Sequence, residues 1–523
     1  MNKSLPILAG VLFLFSCSKQ EFQKNSMDAD AALKQKASGS NLAAKQESIT
    51  FTQISSTIVP GGSAAAEISA YDPATKKLFI VNNSAGNNRI DVYNLTNPAA
   101  PVAMPFINTI VYGGFVNSLH VSNGKLAAAI EATTKTNPGK VLVFKTSDYS
   151  VLANVTVGAL PDMVTFSPDG NYILTANEGE PNDAYTIDPV GSVSIISVND
   201  NYSVTTLDFS AFASRAAELK AKGFRIFGKN ASFAQDIEPE YVAVSENSKK
   251  AWVTLQENNG MALIDLNTKT IENIFPFGFK DYNAPGNTID ASDQPTATPP
   301  IVNFRNWPVK GIYLPDAIAV LPNNNVPFVF TANEGDARAY SGFNEERRLG
   351  NAAHVFDPTV FPNAALLKLP ANLGRLQSTT TLGDTDGDGD YDELYSYGAR
   401  SFSIWHGLTG ELIFDSKDFI DKEAFRQGKY PDSRSDDKGC EPEGLAIGRV
   451  GNNNILFVGL ERANAVMLFD VTNPRMPKYL QWLDAGVGPE GVLFVPASES
   501  PNGKSLLIVS SEVDGTVKIY STN

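Results

Sequence analysis

Apolar residues in this chain come in short runs, and the runs recur in a fixed order. An acid, usually after proline, opens an apolar run; a turn follows, then a second run that ends in glutamate, then a third that ends near aspartate. Pro161-Asp162 opens Met163–Asn177, which Glu178 closes. Pro239-Glu240 opens Tyr241–Gln256, closed by Glu257, and Pro315-Asp316 opens Ala317–Asn333, closed by Glu334. Pro442-Glu443 and Glu461 bracket a fourth copy, Pro489-Glu490 and Glu512 a fifth. Two looser copies open at Glu67 and at Asn117. The pentapeptide Thr-Ala-Asn-Glu-Gly recurs identically at Thr175–Gly179 and Thr331–Gly335. The runs are rich in β-branched and aromatic residues, with Gly, Asn, Asp or Pro between them, which is the pattern of short strands. Seven such units predict an all-β fold, a seven-bladed β-propeller. The last unit stops at its third strand, Thr516–Tyr520, so Ile49–Val59 is expected to supply the fourth and close the ring.

Three stretches break the pattern. Phe209–Lys222 is rich in Ala, Lys and Glu and predicts a short helix, while Phe279–Gly311 and Ser341–Gly383 read as long loop insertions. The N-terminus is of another kind. Lys3 precedes a short apolar run, Leu5–Phe15, that ends in Ser16-Cys17. This is similar to a lipoprotein signal, with Cys17 as the acylated residue. Residues 1–17 are thus expected to be a signal peptide, 18–48 a polar tether, and 49–523 the propeller. The charged tag Ser18-Lys19-Gln20-Glu21 points to the outward face of an outer membrane.

Hairpin geometry turns the repeats into a site. The start of a first strand and the end of its partner lie at the same end of a hairpin, and in a propeller the first strand lines the central channel. Asp162, Glu240, Asp316, Glu443 and Glu490 should therefore sit at one mouth of the channel beside Glu178, Glu257, Glu334, Glu461 and Glu512. So many carboxylates need cations or donors nearby. Either a subset holds a metal or ligand, or each caps backbone N–H groups within its own unit; Arg338, Arg400 and Arg462 can also neutralise part of the ring. The sharpest local motif is Asp384-Thr-Asp386-Gly-Asp388-Gly-Asp390-Tyr-Asp392. It is similar to EF-hand and dockerin loops, in which oxygens at the first, third, fifth and ninth positions converge on calcium. Tyr395 stands where such loops carry their bidentate glutamate.

Net charge of −15 argues against nucleic acid and favours cations or a basic surface partner. Only three histidines occur, none with a metal-binding partner at useful spacing, and there is no Walker loop, dinucleotide fingerprint or G-x-S-x-G elbow. Cys440, the one cysteine outside the leader, reads as structural. The segments EPEYVAVSENSKKAWVTLQENNGMALIDL, TANEGDARAY, GDTDGDGDYDELYSYGARSFSIW and EPEGLAIGRVGNNNILFVGLERANAVMLFDVTNP resemble the choice-of-anchor I family, over about Ser48–Asn523. The resemblance implies a surface propeller with a calcium association and no established reaction. Animal proteins of similar sequence are mesenchyme-specific cell-surface glycoproteins linked to biomineralisation, and some similar proteins carry an alkaline-phosphatase label. Three functions follow as expectations: a lipid-anchored, calcium-using binding or matrix protein with an extracellular ligand; a metal-dependent phosphoester hydrolase; or a glycan-capture module, for which exposed aromatics such as Trp307 or Tyr313 would speak.

Overall fold

The computed structural model describes residues 49–297, 299–323 and 326–523. The expected signal peptide, Cys17 and the expected tether lie outside these residues.

Seven four-stranded antiparallel sheets hold 28 of the 35 strands among the described residues. Five are built from four consecutive strands, and a sixth joins Ile318–Asn323 and Val326–Ala332 to Phe402–His406 and Leu412–Asp415 across the second insertion. The seventh joins Pro489–Val495, Leu506–Ser511 and Thr516–Thr522 to Phe51–Ile58, which pairs with Thr516–Thr522 from Phe51 opposite Thr522 to Ile58 opposite Thr516. The opening strands touch in cyclic order, from Ser69–Asp72 through Val116–Ser122, Pro161–Phe166, Pro239–Val244, Ile318–Asn323, Pro442–Val450 and Pro489–Val495 back to Ser69–Asp72. This arrangement is a β-propeller.

Burial explains the run pattern. A sheet covered on both faces reads as a continuous apolar run. Lys77–Asn82 and Ser192–Ser197 are buried at every residue, whereas the outer strands Val102–Asn108 and Ser203–Asp208 are exposed or half-buried at every residue but Ile107. Between neighbouring sheets the side chains interdigitate: Phe79, Val81 and Val92 of one pack on Leu119, Leu126 and Phe144 of the next. The turn at Ser167–Gly170 forms as its residues require. Gly170 takes φ +71°, its N–H donates to Ser167 O at 2.8 Å, and Ser167 Oγ donates to Asp169 Oδ1 at 2.6 Å.

The identical pentapeptides have a structural cause. Asn177 Nδ2 donates to Ser194 Oγ at 3.0 Å, and Asn333 Nδ2 donates to Ser403 Oγ at 2.8 Å, each bond locking a strand end to its neighbour. The glycine that ends the second pentapeptide packs closely against backbone. A Cβ on Gly335, at φ +111°, would stand 2.3 Å from Gly398 N. Glu178 and Glu334 are each held between the anchored asparagine and the pentapeptide glycine.

The helix expected over 209–222 is a 3₁₀ turn, Ser210–Arg215, continuing into Ala216–Lys220. The two long insertions are not loose loops. Residues from 282 to 309 and from 349 to 394 share a core of their own, built from Tyr282, Ile289, Trp307, Leu349, Phe356, Leu376 and Tyr391. Trp307 and Tyr313 are each only 4% exposed, so they offer no platform for a sugar. Their large apolar area is better used inside than in water. No helix among the described residues is long and apolar enough to cross a membrane.

Candidate functional site

A cavity of about 390 Å³ opens at the axis and is lined from all seven opening strands or the residues beside them, among them Ser69, Asn117, Asp162, Glu240, Asp316, Glu443 and Glu490. Glu334 and Glu461, from second-strand ends, also line it. Glu178 lies just behind: its carboxylate is within 4.8 Å of ligand oxygens of Asp162 and Glu240. Glu178 forms a second such group with Glu238 and Glu257, and Glu334 forms a third with Glu441 and Glu461. Glu67 and Glu512 are the nearest charges acting on Glu490.

Burial comes first and neighbouring carboxylates second in holding Glu178, Glu240, Glu257, Asp316, Glu443 and Glu490 well above the usual carboxylate range. Burial likewise pushes Asp162 up to about 7 and Glu67 to about 8. Such crowding has a cost that donors would normally relieve. Yet no side-chain or backbone donor among the described residues bonds to the carboxylates of Asp162, Glu178, Glu240, Asp316, Glu443 or Glu490, and Glu240 Oε2 and Glu443 Oε2 are buried without a partner. The acids do not cap their own units.

Countercharge is distributed unevenly. Lys438 Nζ stands 2.6 Å from Glu334 Oε1, 3.3 Å from Asp336 and 3.5 Å from Glu441. Arg462 reaches Glu461 at 2.8 Å and Glu441 at 3.2 Å. Arg338 is buried against Asp236 at 2.7 Å and Glu238 at 3.0 Å. Arg400 does not serve the ring, because its guanidinium is spent on Asp290 O, Ser435 O and Asp437 O, with Asp421 at 3.6 Å. His120 lines the cavity as a neutral acceptor: burial pushes it down to about 4, and Phe166 N donates to its Nδ1. The repeat acids were visible in sequence, but Lys438, Asp336 and Glu238 were not singled out. The one available signal was the doubled Glu-Pro-Glu at 238–240 and 441–443.

The aspartate loop departs from its expected geometry. Asp384, Asp386 and Asp392 group together, while Asp390 turns to Asp392 and Asp357. Asp388 joins neither group, because its Oδ1 accepts Asp390 N in a local turn. Asp384 accepts Gly387 N at 2.7 Å and Gly389 N at 3.1 Å, and Thr385 N and Oγ1 hold Asp392, lowering its carboxyl. Cys440 is fully buried, and burial raises its thiol well above the usual range, which makes it a structural residue.

The fold and its mouth define a propeller-type binding module with an acidic channel entrance. The chain belongs to the choice-of-anchor I domain family, which matches residues 67–474, a narrower span than the resemblance read from sequence. Gigasin-3a of Magallana gigas is 30% identical over 186 residues, covering 29% of this chain; the match spans 64% of that relative's length. Among solved structures, Kuenenia stuttgartiensis hydrazine synthase aligns at TM-score 0.48 and 12% identity, over 87% of this chain and 95% of that one. The Cps50 (Swd1) β-propeller domain of Myceliophteria thermophila aligns at 0.46 and 8%, over 91% and 100%.

Proposed function

We propose that this chain is a surface-anchored module, its seven sheets the blades of a ring closed by Phe51–Ile58, that holds a divalent cation at the channel mouth and presents it to an extracellular ligand. Asp162, Glu178 and Glu240 are the ligands, with calcium the cation their hard oxygens suit best. One observation carries the reading: these three carboxylates converge, and none is satisfied by a protein donor. Binding is favoured over phosphoester hydrolysis because Lys438 and Arg462, the bases lining the cavity, are held by Glu334, Asp336, Glu441 and Glu461. Asp384, Asp386 and Asp392 form a second calcium position on the insertion.

Calorimetric calcium titration tests both positions. Asp162→Asn with Glu240→Gln should weaken the mouth site by roughly tenfold or more, about 1.4 kcal/mol, while leaving the fold intact. Asp392→Asn should remove the loop's contribution alone. Heat traces unchanged in the first variant would sink the mouth reading, and unchanged traces in the second would sink the loop. The lipid anchor is proposed at Cys17. Cys17→Ser should move the protein from the membrane fraction to the soluble one, and an unchanged distribution and mass would exclude acylation.

A further inference from the structure

Glu178, Glu238 and Glu257 have a counterpart within the same chain. Glu334, Glu441 and Glu461 are assembled in the same way: the glutamate closing the second strand of one sheet, the first glutamate of a Glu-Pro-Glu, and the glutamate closing the second strand of the next sheet. In both groups the carboxylate oxygens lie within 4.8 Å of one another. Carboxylates so close cannot all ionise unless a positive charge joins them.

In the counterpart the chain supplies that charge itself. Lys438 reaches Glu334 and Glu441, Arg434 reaches Glu441 at 2.7 Å, and Arg462 bridges Glu441 and Glu461. The same offsets from the other Glu-Pro-Glu and its partner hold uncharged residues. Gln235 precedes Glu238 as Lys438 precedes Glu441, Ala231 stands in the place of Arg434, and Asn258 follows Glu257 as Arg462 follows Glu461. Gln235 Nε2 is turned away to Asp188 O at 2.6 Å. Arg338 is the one cation bonded to these carboxylates among the described residues, and it is divided between Asp236 and one oxygen of Glu238; Arg225 Nη1 donates to Glu257 O at 3.0 Å, but its carboxylate partner is Glu345. The other oxygen, Glu238 Oε1, and Glu257 Oε2 have no hydrogen-bond partner, in residues only 1% and 5% exposed.

We infer that a further divalent metal cation, beside the one at the mouth, occupies Glu178, Glu238 and Glu257, doing for this group what the Lys438 ammonium does for its counterpart. The inference deepens the reading of the mouth and rests on it for Glu178, which becomes a ligand to both ions of a two-cation centre. The two positions differ in access. Asp162 and Glu240 line the open cavity, whereas Glu238 and Glu257 stand behind it, so the outer ion exchanges with solvent and the inner one is retained.

Crystals of the full chain grown with manganese(II), a divalent probe for oxygen ligands, decide the matter by anomalous scattering. Two peaks are expected on either side of Glu178, roughly 4 Å apart as in other two-metal centres. Glu257→Gln should lose the inner peak and keep the outer. An outer peak alone in the wild type overturns the inner site and leaves the mouth reading standing; an inner peak alone upholds the inner site and removes the outer. No peak at either position overturns both, and two peaks that persist unchanged in Glu257→Gln overturn the inner ligand set.

Discussion

Arg338→Met is expected to cost about 3–5 kcal/mol of stability, the range for breaking a buried ion pair by removing one partner. The guanidinium is 1% exposed and bonds Asp236 Oδ1 at 2.7 Å, Asp236 O at 2.7 Å and Glu238 Oε2 at 3.0 Å. It also lies over the Phe227 ring, 4.5 Å from the centroid. Its removal leaves two buried carboxylates without their arginine and leaves the insertion after Gly335 unpinned from the segment before Pro239. Urea unfolding followed by fluorescence measures the loss. Adding Asp236→Asn and Glu238→Gln to the variant should recover much of it, because neutral amides do not need the arginine. A single variant within about 1 kcal/mol of wild type would show that the pair contributes no more than a surface bridge.

With divalent ions chelated, the protein should melt at a lower temperature at about pH 8.5 than at about pH 6.5, and calcium should close most of that gap. A carboxyl raised in the folded state keeps its proton when the unfolded chain has lost it. Its contribution is therefore full below the unfolded value and is lost as pH rises through the folded value. Glu67 is raised to about 8, and Asp162 and Glu461 to about 7, so the loss starts as pH passes the unfolded values near 4 and its last part, from Glu67 above all, falls between about pH 6.5 and 8.5. Glu67 alone contributes on the order of 2 kcal/mol across that window. His120 and His354, both pushed down to about 4, act in the opposite direction, but only below their unfolded value near 6.5. The chosen window therefore isolates the carboxylates. Scanning fluorimetry across pH with and without chelator gives the answer, and equal melting at both pH values would mean that the acids are already neutralised within the protein.

What could be read from sequence was whatever repeats. The strand runs and the acids at their ends recur in register, because each sheet solves the same packing problem. The pentapeptide was visible as a repeat, although its cause, Asn177 and Asn333 bonding to serines one strand away, is a tertiary contact. Lys438 was not legible. It sits on an irregular segment between the helix Phe419–Arg426 and the strand Pro442–Val450, where no periodicity marks which way a side chain points. The insertion core was missed for a similar reason: Trp307, Phe356 and Tyr391 are scattered among prolines, asparagines and aspartates, and only folding gathers them. The aspartate motif was found but its convergence was not, since Asp357 comes from a distant part of the insertion and Asp388 is diverted into a turn.

The pairing of Phe51–Ile58 with Thr516–Thr522 sets an order of events during synthesis. Thr52 and Asn523, hydrogen-bonded at 3.2 Å, are 471 residues apart, close to the largest separation the described chain allows. Contacts of such separation form late, after the loop entropy between them has been overcome. The other six sheets draw their strands from between Ser69 and Asp484, but the strand Phe51–Ile58 has no partner until Thr516–Thr522 arrives. A chain interrupted anywhere upstream of Thr516 carries that strand unpaired, an open edge of the kind that recruits other strands. Synthesis of Thr516–Thr522 is thus the step that gives the strand Phe51–Ile58 its partner.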